Sequence, residues 1–182
     1  MKTISLFDQK FRLSISRLQV CSSIEQIADR INSDYEGKEI LFIAVLNGAF
    51  MFATELVRRI KPLCRISFVK VASYQGDTSE GIVRELIGLK EDLNGKHVIL
   101  VDDIVDTGFT LAHIMKQIKT NYQPASVAVA SLLFKPQAYR KSIVIDYIGI
   151  EITNDFVIGW GLDYNGYGRN LEDIYVIIEK KC

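Results

Sequence analysis

Three aspartates and a Thr-Gly-x-Thr turn stand within a few positions of one another in residues 98 to 111, Val-Ile-Leu-Val-Asp-Asp-Ile-Val-Asp-Thr-Gly-Phe-Thr-Leu. A carboxylate only accepts hydrogen bonds, so Asp102 and Asp103 suit the vicinal hydroxyls of a ribose or the waters of a bound Mg²⁺. Thr107, Gly108, Phe109 and Thr110 can offer backbone N–H groups and two hydroxyls to one phosphate, and Gly108 lets the backbone approach closely. A phosphate beside a ribose describes a sugar phosphate. Either half alone is weak, because Asp-Asp can simply end a strand and Asp-Thr-Gly can be a plain turn. Their conjunction directly after a fully apolar run favours a ligand site.

Such a site needs particular elements to hold it. Val98 to Val101 are four apolar β-formers without alternation, the pattern of a strand covered on both faces in a parallel sheet. Asp102, Asp103 and Asp106 then sit at the carboxyl end of that strand, where open α/β sheets bind ligands. A helix over Leu111 to Thr120 would present unpaired first amides and a positive dipole end. Elsewhere, Ser23 with Gln26 reads as a capping box ahead of Ile24, Ile27, Ala28 and Ile31 at helical spacing. Ile40 to Leu46 reads as a buried strand, Ala49 to Ile60 as a helix stopped before Pro62, and Cys64 to Ala72 as a strand. Ser126 to Phe134 and Ser142 to Ile150 supply two more strands. The alternation predicts an α/β fold with a twisted, mostly parallel sheet flanked by helices. Residues 1 to 20 and 151 to 182 break it, which leaves a core over about 21 to 150 in one domain.

The run from Val98 resembles the phosphoribosyl-diphosphate signature of the type I phosphoribosyltransferases: four apolar residues, two acids, two apolar residues, Asp-Thr-Gly, then Thr. Leu46-Asn47-Gly48-Ala49, Ser73-Tyr74, Ser131 to Lys135, and Phe156 to Asn165 through Arg169 also resemble hypoxanthine(-guanine) phosphoribosyltransferases, in the family's order. The resemblance covers most of residues 40 to 178, and separated segments in register are far more specific than one loop. It implies a small hood formed by the chain ends, 1 to 20 and 151 to 182, over the carboxyl edge of the sheet. It also implies Mg²⁺-dependent transfer of a phosphoribosyl group to a 6-oxopurine.

Roles follow residue by residue from the resemblance. Asp106 would exchange a proton with purine N7. Leu46, Asn47 and Gly48 would form the pyrophosphate loop, with a cis peptide between Leu46 and Asn47, and Arg169 would grip the diphosphate. Ser73 and Tyr74 would belong to a lid over residues 73 to 84. Lys135, a donor only, fits the O6 of hypoxanthine or guanine and mismatches the amine of adenine. Phe156 would stack on the base, the Val157 backbone would bond its pyrimidine edge, and Asp163 would both border the purine and join Asp102 and Asp103 on Mg²⁺. Some relatives carry a basic residue where this chain has Asn47 and a lysine where it has Ala72, which puts the strength of pyrophosphate binding in question. From residue type alone, Trp160 belongs to the core, and His97 and His113 are structural.

Composition narrows the rest. The 182 residues are 48% hydrophobic and carry 22 basic against 22 acidic side chains, so no general field attracts nucleic acid or an anionic membrane. Cys21, Cys64 and Cys182 lie outside any CxxC and read as reduced thiols. No secretory leader is visible, and the longest apolar run, Ile40 to Leu46, falls far short of the ~20 residues of a spanning helix. These features predict a soluble cytoplasmic protein, and the resemblance implies phosphoribosyl diphosphate and a 6-oxopurine base as partners of a homodimer or homotetramer. The alternatives are a nucleotide-sensing regulator on the same fold, a receiver- or flavodoxin-like domain, and a xanthine-preferring relative. The receiver-like reading leaves Asp-Thr-Gly-Phe-Thr unexplained.

Overall fold

The computed structural model describes residues 2–73, 83–89 and 91–178, with 72–73 and 83–86 described by their main chain only. Tyr74 and most of the expected lid lie outside the described residues, and so does Cys182. Ser73 closes strand β4.

Six strands form the main sheet in the order β5-β4-β3-β6-β7-β8. They are β3 (Ile40–Leu46), β4 (Cys64–Ser73), β5 (Val83–Ile87), β6 (His97–Val105), β7 (Ser126–Phe134) and β8 (Tyr147–Glu151). All neighbours pair in parallel except β5, which runs antiparallel to β4 at the edge. The expected mostly parallel α/β sheet is therefore present. Continuous apolar strands make sense because both faces are covered. Ile40, Phe42 and Ala44 of β3 pack into a cluster with α1 (Arg17–Asp34) and α2 (Phe50–Val57), whereas Leu41, Ile43 and Val45 enter the opposite cluster with α3 (Phe109–Asn121). Each of the larger side chains among them, fully buried, contributes about 1.5–3 kcal/mol of transfer free energy.

The chain ends build a second sheet, β1 (Thr3–Leu6), β2 (Gln9–Ile15), β10 (Ile174–Ile177) and β9 (Val157–Ile158), in that order. All of its pairings are antiparallel. A small core of Phe11, Ile158 and Tyr175 holds it together. This is the expected hood, and its N-terminal part ends in β2 at Ile15, immediately ahead of α1.

Several boundaries differ from the sequence reading. The capping box at the start of α1 is Ser16 with Gln19, not Ser23 with Gln26. The buried stripe extends back to Val20, so the helix starts a full two turns earlier and Ser23 falls inside it. Ser23 faces inward against Gly149 of β8, and its hydroxyl has no hydrogen-bond partner. α2 stops at Val57, after which Arg59 and Ile60 bond to Leu56 and Val57 in tighter turns. α3 begins at Phe109, two residues before the expected start. The strand expected from Ser142 begins only at Tyr147. Ile143 and Ile145 instead pack on the α3-side cluster, and Tyr139 Oη donates to the Ile143 carbonyl.

The two serines make the correction measurable. Ser16→Ala removes a cap and should cost about 1 kcal/mol, lowering the melting temperature by roughly 2–4 °C. Ser23→Ala removes a buried hydroxyl without a partner and should leave the melting temperature unchanged or raised. A larger loss at position 23 than at 16 would return the cap to Ser23.

Candidate functional site

β3, β6 and β7 end at one edge of the sheet, and the hood folds over it. β6 determines where the acids go. Its residues alternate, so Val98 and Leu100 face α3 while Ile99 and Val101 face α1 and α2. Asp102 and Asp103 follow and open to different cavities, although their carboxyls stay within hydrogen-bonding reach of one another. Asp102 lines a small cradle with Thr107, Gly108, Phe109 and Thr110. Asp103 lines a larger cavity of about 350 Å³ with Asn47, Gly48, Asp106, Lys135, Phe156, Val157, Asp163 and Arg169. Ile104 and Asp106 belong to both, so the cradle and the cavity are one continuous site.

The cradle is built as the sequence demands. Gly108 is the N-cap of α3, with φ +82° and no side-chain cap, so the first amides of the helix are free for an anion. A side chain at 108 would stand 2.4 Å from the Tyr139 ring, which leaves glycine the only residue that fits both the conformation and the space. The Arg140 amide donates to the Thr107 carbonyl at 3.3 Å and ties the loop to the segment after β7.

The cavity gathers charges of both signs. Asp106 and Lys135 each follow the last residue of neighbouring parallel strands, in which Val105 pairs with Phe134. The register brings Lys135 Nζ to 3.0 Å from Asp106 Oδ2. Lys135 is 7% exposed, and its amide donates to the Val105 carbonyl, so its ammonium is aimed rather than free to swing into solvent. Burial pushes the Asp102 carboxyl well above the usual carboxylate range, and the neighbouring Asp103 charge raises it further. Asp103 is raised as well, again chiefly by burial.

The hood supplies the far wall. Arg169 donates to the Gly161 carbonyl at 2.6 Å and pairs with Asp163 at 2.6 Å. Asp163 also accepts from the Gly166 amide at 2.7 Å. Among the described residues no group of three or more His, Cys, Asp or Glu side chains is gathered as a metal cluster. Asp103 and Asp163 line one cavity, and Asp102 sits on the other side of the strand. Phe156 is 43% exposed and open on one side, with Tyr164 edge-on at 6.0 Å. Trp160 is buried and bonded to the Glu172 carbonyl, in keeping with a core role. His97 is paired with Ser126 at 2.8 Å, away from this edge.

The peptide between Leu46 and Asn47 is cis. Leu46 itself does not line the cavity; Asn47 and Gly48 do. Sequence reasoning missed two contacts here. A side chain on Gly48 would meet the Asp103 carboxylate at 1.8 Å, and one on Gly161 would meet the Gly48 carbonyl at 2.0 Å. The β3 turn, the β6 acid and the hood loop thus touch through positions without a side chain. The only sequence sign was the glycine itself in each loop. Ile104 and Leu162, apolar members of the cavity wall, carried no signal that separates them from core.

Comparison with known proteins agrees with this geometry. Residues 16–165 match the family model of the phosphoribosyl transferase domain. The chain is 39% identical over 163 residues to a hypoxanthine-guanine phosphoribosyltransferase of Mycobacterium tuberculosis, covering 86% of this chain and 80% of that one. It is 35% identical over 170 residues to the enzyme of that name from Streptococcus pneumoniae, covering 93% and 94%. Among solved structures, a hypoxanthine-guanine phosphoribosyltransferase of Bacillus anthracis superposes with a TM-score of 0.84 at 32% identity, covering 92% of this chain and 99% of that one. A hypoxanthine phosphoribosyl transferase of Trypanosoma cruzi superposes at 0.86 with 33% identity, covering 96% and 95%. Fold, site and similarity over most of the length place this chain in the phosphoribosyl transferase family, among its hypoxanthine-guanine members.

Proposed function

We propose that this protein transfers the 5-phosphoribosyl group of phosphoribosyl diphosphate to N9 of hypoxanthine and guanine, giving IMP or GMP and pyrophosphate in purine salvage. The observation that carries the reading is the Lys135 to Asp106 pair at 3.0 Å, standing between a cradle of free amides and an aromatic ring open to the cavity. The relatives' names supply the reaction class.

The base enters beside Phe156, whose ring offers a stacking face, and the Val157 backbone meets its pyrimidine edge. Lys135 donates to O6. Adenine carries an amine there and would leave the buried ammonium unsatisfied, a mismatch that discriminates strongly. Asp106, held by Lys135, faces N7 and exchanges its proton as N9 forms the new bond to C1 of the ribose. The 5-phosphate sits on the amides and hydroxyls of Thr107, Gly108, Phe109 and Thr110, while Asp102 and Asp103 hold the ribose from either side of β6. Bond-breaking at C1 develops positive charge on the sugar and negative charge on the departing diphosphate. Asn47 and Gly48 of the β3 turn and Arg169 face that leaving group. Arg169 reaches it by sharing its guanidinium between Asp163 and phosphate oxygens.

Mg²⁺ fits the donor set. It commonly takes one or two protein carboxylates and fills the rest of its shell with water and substrate phosphates. Asp103 and Asp163, which line one cavity, and Asp102, which lines the adjoining one, would be its hard oxygen donors. When bound, the ion neutralises charge on the diphosphate.

The chain acts as a single phosphoribosyltransferase domain, since the hood closes a site whose acids come from the main sheet. A homodimer or homotetramer is supported by an apolar patch. Ile66 and Phe68 alternate onto one face of β4, and with Phe50 and Ile87 they are each 38–41% exposed. No helix among the described residues is long and apolar enough to cross a membrane, and Cys21 and Cys64 are free thiols. We place the reaction in the cytoplasm on the second observation.

The first test is Mg²⁺-dependent turnover with hypoxanthine, guanine, xanthine, adenine and uracil. Hypoxanthine and guanine should be consumed with nucleotide formation. Binding of phosphoribosyl diphosphate without turnover of any base would turn the reading toward a regulator. Asp106→Asn should lower kcat by about 10²-fold or more with a much smaller change in phosphoribosyl diphosphate affinity. Equal losses in both would reduce Asp106 to positioning the sugar.

A further inference from the structure

The chain is neutral overall, yet no aspartate or glutamate occurs between Asp106 and Asp146. That stretch carries Lys116, Lys119, Lys135, Arg140 and Lys141. Lys135 is committed to Asp106 in the site described above. Three of the others converge elsewhere. Lys116 and Lys119, one turn apart on α3, and Lys141 on the segment after β7 line a groove of about 370 Å³ together with Ala112, Met115, Thr120, Ser142 and Ile143. The groove contains no acidic side chain. Among the described residues, none of the ion pairs uses these three ammoniums.

We infer that this groove is a second ligand site, separate from the catalytic cavity, for a nucleoside polyphosphate whose phosphates meet Lys116, Lys119 and Lys141 and whose base lies on Met115 and Ile143. Charge complementarity argues for a polyanion. Three like charges around one depression repel one another, and an anion bearing several charges relieves this. The apolar part of the lining, Ala112, Met115 and Ile143, argues against a bare inorganic anion, because a flat ring gains by contact with it. The dimensions argue for a small molecule. The volume falls within the range of small-ligand pockets, whereas a nucleic-acid strand needs a longer basic track than one groove of a neutral protein supplies.

The groove also has a wall that reaches the phosphate cradle. Lys141 lies 3.8 Å from the centre of the Phe109 ring, and the neighbouring Tyr139 packs over Gly108. A ligand that draws Lys141 toward its phosphates therefore pulls on the segment that braces the cradle from outside.

The test titrates ATP into the enzyme by calorimetry, with the catalytic cavity filled by IMP and pyrophosphate, and repeats this with the Lys116→Glu, Lys119→Glu double variant. ATP should bind the filled enzyme, and the double variant should weaken that binding by about tenfold or more, since two favourable charges become repulsive. Its melting temperature and turnover should stay within the small range of surface substitutions, about twofold in rate. Photolabelling with 8-azido-ATP should modify the peptide containing Met115 or Ile143, a readout independent of the catalytic assignment. The inference is overturned if ATP binds only by displacing IMP, or if the double variant binds ATP as tightly as the parent. Tighter binding of inorganic triphosphate or a single-stranded oligonucleotide than of ATP would overturn it equally, by removing the base or the small-molecule class.

Discussion

The parallel register of β6 against β7 is the constraint on which the site depends. Val105 opposite Phe134 makes the next residues of both strands, Asp106 and Lys135, neighbours at the sheet edge. A one-residue slip would invert every side chain of β6, sending Val98 and Leu100 to the wrong core cluster and exchanging the sides of Asp102 and Asp103. The apolar alternation that stabilises the sheet is therefore the same alternation that sorts the acids. One carboxylate goes to the cradle at the start of α3 and the other to the cavity under the hood. Core packing and chemistry are set by a single choice of register.

The cost of this arrangement falls on the two aspartates. Both are buried, and burial raises both above ordinary carboxylate behaviour. A hydrophobic pair at these positions would stabilise the sheet more, as is common where a site opposes stability. The remaining charges compensate locally. Lys135 is held by Asp106, and Arg169 by Asp163 and the Gly161 carbonyl. Each cation keeps an internal partner until a ligand offers a better one, which keeps the cavity walls in place.

Much of this was legible in the sequence because it rests on short-range patterns. The β3 and β6 runs, the loop from Asp106 to Thr110 and the alternation of strands and helices follow from periodicity and turn chemistry, and the five separated motifs in family order identified the family. What was not legible depends on distance in space. The α1 cap was misplaced because Ser23-x-x-Gln26 and Ser16-x-x-Gln19 are equivalent as letters, and only contact with β8 shows that Ser23 points inward. Ser142 to Ile145 has strand composition, but α3 offered Ile143 and Ile145 a packing surface before β8 begins. The division of Asp102 from Asp103 needed the two core clusters, and the Gly48 to Gly161 contact joins residues more than a hundred positions apart.

That separation has a consequence for synthesis. β10, from Ile174 to Ile177, lies between β2 and β9 and pairs with both. Until those residues leave the ribosome, β2 has only β1 beside it, and a lone two-stranded hairpin is marginal in water. The main sheet can form as its strands emerge, but the hood waits for β10. The sheet edge that carries Asp102, Asp103 and Asp106 therefore stays open on the nascent chain until β10 arrives.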